Sequence, residues 1–254
     1  MKDWQNSYKA PEGGNSAVSS ADSGITITWA HIRPPIAPGV ISPPMADPKT
    51  PLSREQFVRV AIDFVEKHSM SEFTLRAIGQ ELGVNNTAIY RHFPSKESLL
   101  DAMLESVLGE VAALPDPEGS SPRDCIMQML RNVRQVFQKH SHLSATYVSA
   151  TGAFPSGLIL TRRISAHLSS MGLRGDALVR TYQMLEGYTL GTSVFDAGGA
   201  PDTWSIRQER YRYVNSPDFD DAARDPERVQ RIAYDGFTRA ISLILDDAEK
   251  DASR

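Results

Sequence analysis

The stretch TLRAIGQELGVNNTAIYRHF, residues 74 to 93, leaves few folds open to this chain. Leu75, Ile78 and Leu82 recur at spacings of three and four, the signature of a helix with one apolar face. Thr74 is placed to cap its start and Gly83 to stop it. After Val84 and the pair Asn85-Asn86, a second short helix turns Ile89 and Phe93 inward, and Pro94 closes it. Gly79 falls where the two helices cross, and a larger side chain there would hold them apart. A third apolar face precedes them. Ser53 and Gln56 form a capping box, and Phe57, Val60, Ala61, Phe64 and Val65 make one stripe on a helix ending near His68. Two short helices joined by a tight glycine turn and resting on a third make a helix-turn-helix.

The outward residues of the second short helix are polar and cationic. In a major groove, Arg91 suits a bidentate bond to guanine and Asn86 one to adenine, with Thr87, Tyr90 and His92 beside them. Thr74, Arg76 and Lys96 flank this set as phosphate contacts. Charge alone is no guide, because Arg54, Arg59, Lys67, Arg76, Arg91 and Lys96 are matched by Glu55, Asp63, Glu66, Glu72, Glu81 and Glu97. The case for double-stranded DNA rests on the motif geometry. Tyr90 and His92 also suit a structural role, Tyr90 the more so because its ring can cover the helix junction.

Residues 53 to 104, with the run FTLRAIGQELGVNNTAIYRHFPSKESLLDAML from Phe73 onward, resemble the DNA-binding module of the TetR-type transcriptional regulators. The resemblance implies an all-α homodimer with one three-helix head per chain and a variable helical body that binds an effector. It implies a repressor more often than an activator. Downstream, LEGYTLGTSVFDAGG is weakly similar to the dimerising body of the tetracycline-repressor branch. In that branch the drug arrives with magnesium held by a histidine, and a glutamate of the partner chain takes part through water. The matching positions here are Ala150 and Phe195, so the expected effector is a small apolar or aromatic molecule bound without metal or other cofactor.

Residues 1–50 match nothing in the family. PEGGNSAVSSADSG and RPPIAPGVISPPMADPKTP read as a disordered arm, in which only ITITWAHI, residues 25–32, has strand character. Met45 opens MADPKTPLSREQF, so residues 1–44 read either as an appendage or as the product of an upstream start. The expected domains are the arm over 1–50, the head over 51–98, and a ligand-binding and dimerisation body over 99–254. The net charge of −4 over 254 residues argues against a bulk nucleic-acid coat. No apolar run is long enough for a membrane span, no signal peptide is evident, and the lone Cys125 fits a reducing interior, so the expected location is the cytoplasm.

In the body, Ser121-Pro122 and Asp225-Pro226 each open a helix. Helical segments are expected near 95–113, 123–141, 143–151, 156–171 and 176–196, with residues 200–224 as a long polar and aromatic connection. The segments near 176–196 and 226–248 mix small and apolar residues and are expected to pair two chains as a four-helix interface, a packed core within one chain being the other reading. The expected effector lining is Met103, Val107, Met127, Leu130, Phe137, Tyr147, Phe154, Met184, Tyr188 and Trp204, since thioethers and flat rings suit an adaptable cavity. Many of these also fit plain core. No nucleophile elbow, phosphate loop or dinucleotide fingerprint appears, and no enzyme is expected. His140 and His142 are poorly spaced for zinc, and Cys125 reads as a core or groove residue. A helical protein-interaction module without specific DNA binding is the alternative.

Overall fold

A computed structural model describes residues 52–147, 150, 154–196 and 210–253. The proline-rich arm with ITITWAHI and Met45, and the predicted effector residue Trp204, lie outside the described residues. Among those described, ten α-helices form and no strand. They are α1 (Arg54–His68), α2 (Leu75–Glu81), α3 (Asn86–His92), α4 (Lys96–Ala112), α5 (Pro122–Lys139), α6 (Ser141–Tyr147), α7 (Pro155–Ser170), α8 (Gly175–Asp196), α9 (Pro217–Ala223) and α10 (Pro226–Ala252).

The first three helices pack on one another, and their buried residues belong to a core that continues through α4 into the body. Ser53 caps α1 in a capping box with Gln56, and Thr74 caps α2 by accepting from the Ala77 amide at 3.0 Å. Gly83 has φ 64°, the left-handed conformation that ends α2, and the Val84 amide returns to the Gly79 carbonyl at 2.9 Å. Gly79 is buried, as a helix crossing requires. Phe57, Ala61, Val65, Phe73, Ile78, Ile89 and Phe93 are all at most 1% exposed and fill the space between the helices.

Helix α4 belongs to both halves of the molecule. It packs against α1 on one side and against α5 and α7 on the other, and Leu99, Met103, Leu104 and Val107 are fully buried along it. Beyond it, α5 packs on α8 and α8 on α10, so the body is layered around α5 and α8. A buried ion pair fastens that layer, with Arg134 of α5 2.7 Å from Asp196 at the end of α8 and both side chains 7% exposed.

The stretch 200–224 is not wholly a connection. Residues 217–223 form α9, with Ser216 before it, Pro217 in its first turn, Asp218 and Asp220 behind, and Ala222 and Ala223 buried. These are the helix-start signals of Ser121-Pro122 over again. Seven residues are too few for an apolar period to show in sequence. The segment expected over 143–151 is described as helix only from Ser141 to Tyr147.

Candidate DNA-binding face and effector cavity

The outer face of the head carries six of the eight predicted DNA contacts. Thr74, Arg76, Thr87, Tyr90, Arg91 and His92 are exposed, Tyr90 at 55%. Asn85 caps α3, its Oδ1 accepting from the Thr87 amide at 2.5 Å, so the first turn of α3 is held by a residue beside the predicted reader Asn86. Of Asn86 only its place in α3 is described. Two residues are less free than sequence suggests. The His92 ring lies 5.1 Å from that of Phe57, and Lys96 is half-buried with its ammonium 5.2 Å above the Phe73 ring. Ile89 and Phe93, fully buried on the opposite side of α3, fix which face turns outward.

The head meets the body through a cluster of titratable groups. Glu66 of α1 lies 3.4 Å from His142 of α6 and 3.9 Å from His140, and His140 lies 3.3 Å from Glu110 of α4, which Lys139 also contacts at 3.1 Å. Burial holds the His140 imidazole below the usual histidine range, with Lys139 adding to the effect, and burial pushes the Glu66 carboxyl up. The two act in opposite senses. Below about pH 6.5 the unfolded chain protonates His140 before the folded one does, so stability falls as acid is added through that window. Glu66 opposes this further into acid, because its raised folded value takes up a proton before the unfolded chain does. His140→Gln is therefore expected to flatten the fall of stability between neutral pH and about pH 5.5 by up to about 1.4 kcal/mol per pH unit. Urea titrations across that window check this, and parallel slopes for the two proteins count against it.

Behind α4 lies a cavity of about 50 Å³ among α4, α5, α7 and α8. Of the predicted effector lining it brings together Leu130, Phe137 and Tyr147. The other described ones sit elsewhere. Met103 and Val107 are fully buried in the packing of α4, and Met127 is half-buried against the core. Phe154 packs on the Tyr147 ring at 5.6 Å. Tyr188 stacks on Phe237 at 6.1 Å and donates to the Gly236 carbonyl at 3.4 Å. Met184 is 45% exposed and is not part of the cavity wall. Sequence reasoning missed the polar part of the lining. The Tyr182 hydroxyl donates to Glu186 Oε1 at 2.7 Å and meets Thr161 Oγ1 at 2.8 Å, and Thr189 follows on the next turn of α8. Burial pushes the Tyr182 hydroxyl well above the usual tyrosine range, with Glu186 adding to the shift, so it stays protonated. The spacing Tyr182, Glu186, Thr189 is a single helical face, the one available sequence signal.

A third cluster lies beyond the end of α4. Arg163 of α7 donates to Asp116 Oδ1 at 2.5 Å and to the Ala112 carbonyl at 3.3 Å, and His167 Nε2 lies 2.9 Å from Asp116 Oδ2. Burial works against the Asp116 charge, but Arg163 and His167 outweigh it and hold the carboxyl below its ordinary range. Cys125 is near enough that Asp116, Cys125 and His167 could share a metal ion, yet both Asp116 oxygens already have partners. Its thiol is buried and pushed up by that burial, which does not suit a nucleophile. Ala150 is half-buried and Phe195 lies under the Arg210 guanidinium at 5.2 Å, so neither offers a metal ligand.

A three-helix head with a capped, outward-facing third helix, joined through one shared helix to an all-helical body, is a helix-turn-helix architecture. Residues 57–103 match the model of the bacterial regulatory proteins of the tetR family. The chain is 25% identical over 150 residues to the transcriptional repressor DrrR1 of Streptomyces coeruleorubidus, a match covering 59% of this chain and 56% of that one. The chain spans less than two thirds of the length of the curated relatives it first matches. The fold is similar to that of a possible TetR family regulator from Streptomyces coelicolor A3(2), with a TM-score of 0.65 at 20% identity over 80% of this chain and 100% of that one. It is also similar to ActR from Streptomyces coelicolor in complex with actinorhodin, with a TM-score of 0.61 at 22% identity over 78% and 99%. Among the described residues no helix is long and apolar enough to cross a membrane.

Proposed function

We propose that this chain is a ligand-responsive transcriptional repressor that binds a palindromic operator as a homodimer and is released by a small aromatic effector. The observation that carries the reading is the division of α3, with Ile89 and the capping residue Phe93 sealed in the head core while Thr87, Tyr90 and Arg91 face outward. The head over 51–98 is the reader, with Asn86 and His92 completing the groove set and Thr74, Arg76 and Lys96 at phosphates. The body over 99–254 holds the effector and the partner. A relative named as a repressor and a structural neighbour solved with a small molecule support both halves.

The test is a gel shift with the DNA flanking the chain's own gene over a range of salt. Arg91→Ala is expected to weaken operator binding by about 1–3 kcal/mol and relax preference at one base pair, whereas Lys96→Ala weakens all sequences alike and lowers the salt slope by about one. Equal losses on operator and random DNA would remove Arg91 from base reading. Absence of any salt-sensitive binding would favour a protein-interaction module.

For the homodimer, the structure sorts the two candidate segments into inner and outer residues. Leu185, Phe237, Ile241 and Leu245 are fully buried within the chain. Val179, Met184, Ile232, Tyr234 and Leu243 remain between 43% and 58% exposed on α8 and α10 and are the proposed partner surface. Leu243→Glu should convert the dimer to monomer at micromolar concentration, read by sedimentation, with the monomer's helical content unchanged.

The effector mechanism follows from size. A ring-bearing molecule needs several times the roughly 50 Å³ present, since pockets for such ligands run to about 300–1,000 Å³. Leu108 of α4 is on the wall, so an entering ligand displaces the helix that also packs on the head. A ligand that prefers the opened state about a hundredfold supplies about 2.7 kcal/mol toward DNA release.

A further inference from the structure

Resting on the effector cavity above, we propose that the effector is a lipophilic cation, a flat aromatic ring system bearing a protonated nitrogen that Glu186 and Thr189 receive. Among the described residues lining the cavity, Glu186 is the one charged side chain, and none is lysine, arginine or histidine. A single carboxylate on an otherwise largely apolar wall sets a negative potential that no neighbouring cation in the lining offsets. Its Oε1 accepts from Tyr182, whose oxygen in turn meets Thr161, so the hydroxyls at this end are already committed.

Thr189 adds a second polar group to the same wall. It lies one turn beyond Glu186 on the cavity face of α8, is 1% exposed, and its Oγ1 has no hydrogen-bond partner. An unpartnered buried hydroxyl is costly, and a ligand N–H that bonds it recovers that cost. Glu186 and Thr189 together offer a carboxylate and a hydroxyl oxygen about one helical turn apart, an acceptor pair for an ammonium or ring N–H. Phe137, Tyr147 and Tyr182 line the same cavity and supply aromatic surface for the rest of the molecule. An anionic ligand would set like charge beside Glu186, and a neutral hydrocarbon would leave both Thr189 and the carboxylate unanswered.

The full chain, free of DNA, is titrated by fluorescence with two probes of the same ring outline, 9-aminoacridine, a cation at neutral pH, and acridine, uncharged in mildly alkaline buffer. The wild-type chain should bind 9-aminoacridine about tenfold or more tightly than acridine. Glu186→Gln should erase that preference, and Thr189→Val should weaken 9-aminoacridine several-fold. The wild-type comparison stands even if a variant does not fold. Equal affinity for the two probes, or a preference that survives Glu186→Gln, overturns the charge assignment and leaves the cavity intact. Binding of neither probe overturns the cavity as an effector site.

Discussion

Asp196→Ala should lower the stability of the body by about 3–5 kcal/mol, because it strands a charged guanidinium in the interior. Arg134 and Asp196 are 2.7 Å apart with side chains 7% exposed, and they join the middle of α5 to the end of α8. The Arg134 guanidinium also lies 5.2 Å from the Phe237 ring centroid, and its Nε has no hydrogen-bond partner. Aromatic contact does not replace a lost carboxylate, since an uncompensated buried charge costs more than a cation–π contact returns. For a protein of this size each kcal/mol moves the melting point by about 2–4 °C, so a fall of roughly ten degrees is expected. The pair Arg134→Met with Asp196→Leu should recover most of the loss, because an apolar replacement of both partners leaves no buried charge. A single Asp196→Ala variant that melts with the wild type would mean that water reaches the pair in solution.

The head was legible in sequence because everything that shapes it is local. Ser53 and Thr74 are the observed N-caps, and Gly83 takes the left-handed conformation its place after α2 requires. The spacing of Ile89 and Phe93 settles which side of α3 faces in, and with it which residues face out. The body gave less. Its helix starts at Pro122 and Pro226 carry the same capping chemistry and were readable to within a residue.

The lining of the cavity was not readable, because it depends on where α5, α7 and α8 converge rather than on any one helix. Sequence reasoning picked large flexible side chains, and Met103 and Val107 went instead into the fully buried packing of α4. The apolar stripe of α8 was equally deceptive. Thr181, Thr189, Thr192 and Ser193 turn inward while Val179 and Met184 turn outward, so hydrophobicity alone assigns its faces poorly. Three of those inward hydroxyls bond the carbonyls of the preceding turn, Thr181 to Ala177, Thr192 to Tyr188 and Ser193 to Thr189. That lets polar residues lie in a helix packing face at little cost. Thr189 is the exception, and its lack of a partner becomes visible only in three dimensions.

Phe93→Ala is expected to abolish the proposed operator binding by unfolding α3, while leaving the proposed effector cavity able to bind its probe. Phe93 caps α3, is fully buried, meets Phe57 edge-on at 6.3 Å and lies under the Arg54 guanidinium at 4.7 Å. Truncating such a ring costs about 3–5 kcal/mol. A head of some fifty residues has little stability in reserve at that scale. The body packs around α5, α8 and α10, where Leu185, Phe237, Ile241 and Leu245 are fully buried on helices that the head helices hardly touch. The loss should therefore appear as a separate early transition in calorimetry, with the main transition little moved. Phe93→Leu keeps most of the buried volume and should retain DNA binding at reduced stability. Tyr90→Ala removes an exposed ring from the same helix and should weaken DNA binding with stability within about 0.5 kcal/mol of wild type. That contrast separates folding the reader from reading. A Phe93→Ala chain that binds operator normally, or one whose whole body melts along with the head, would refute an independently marginal head.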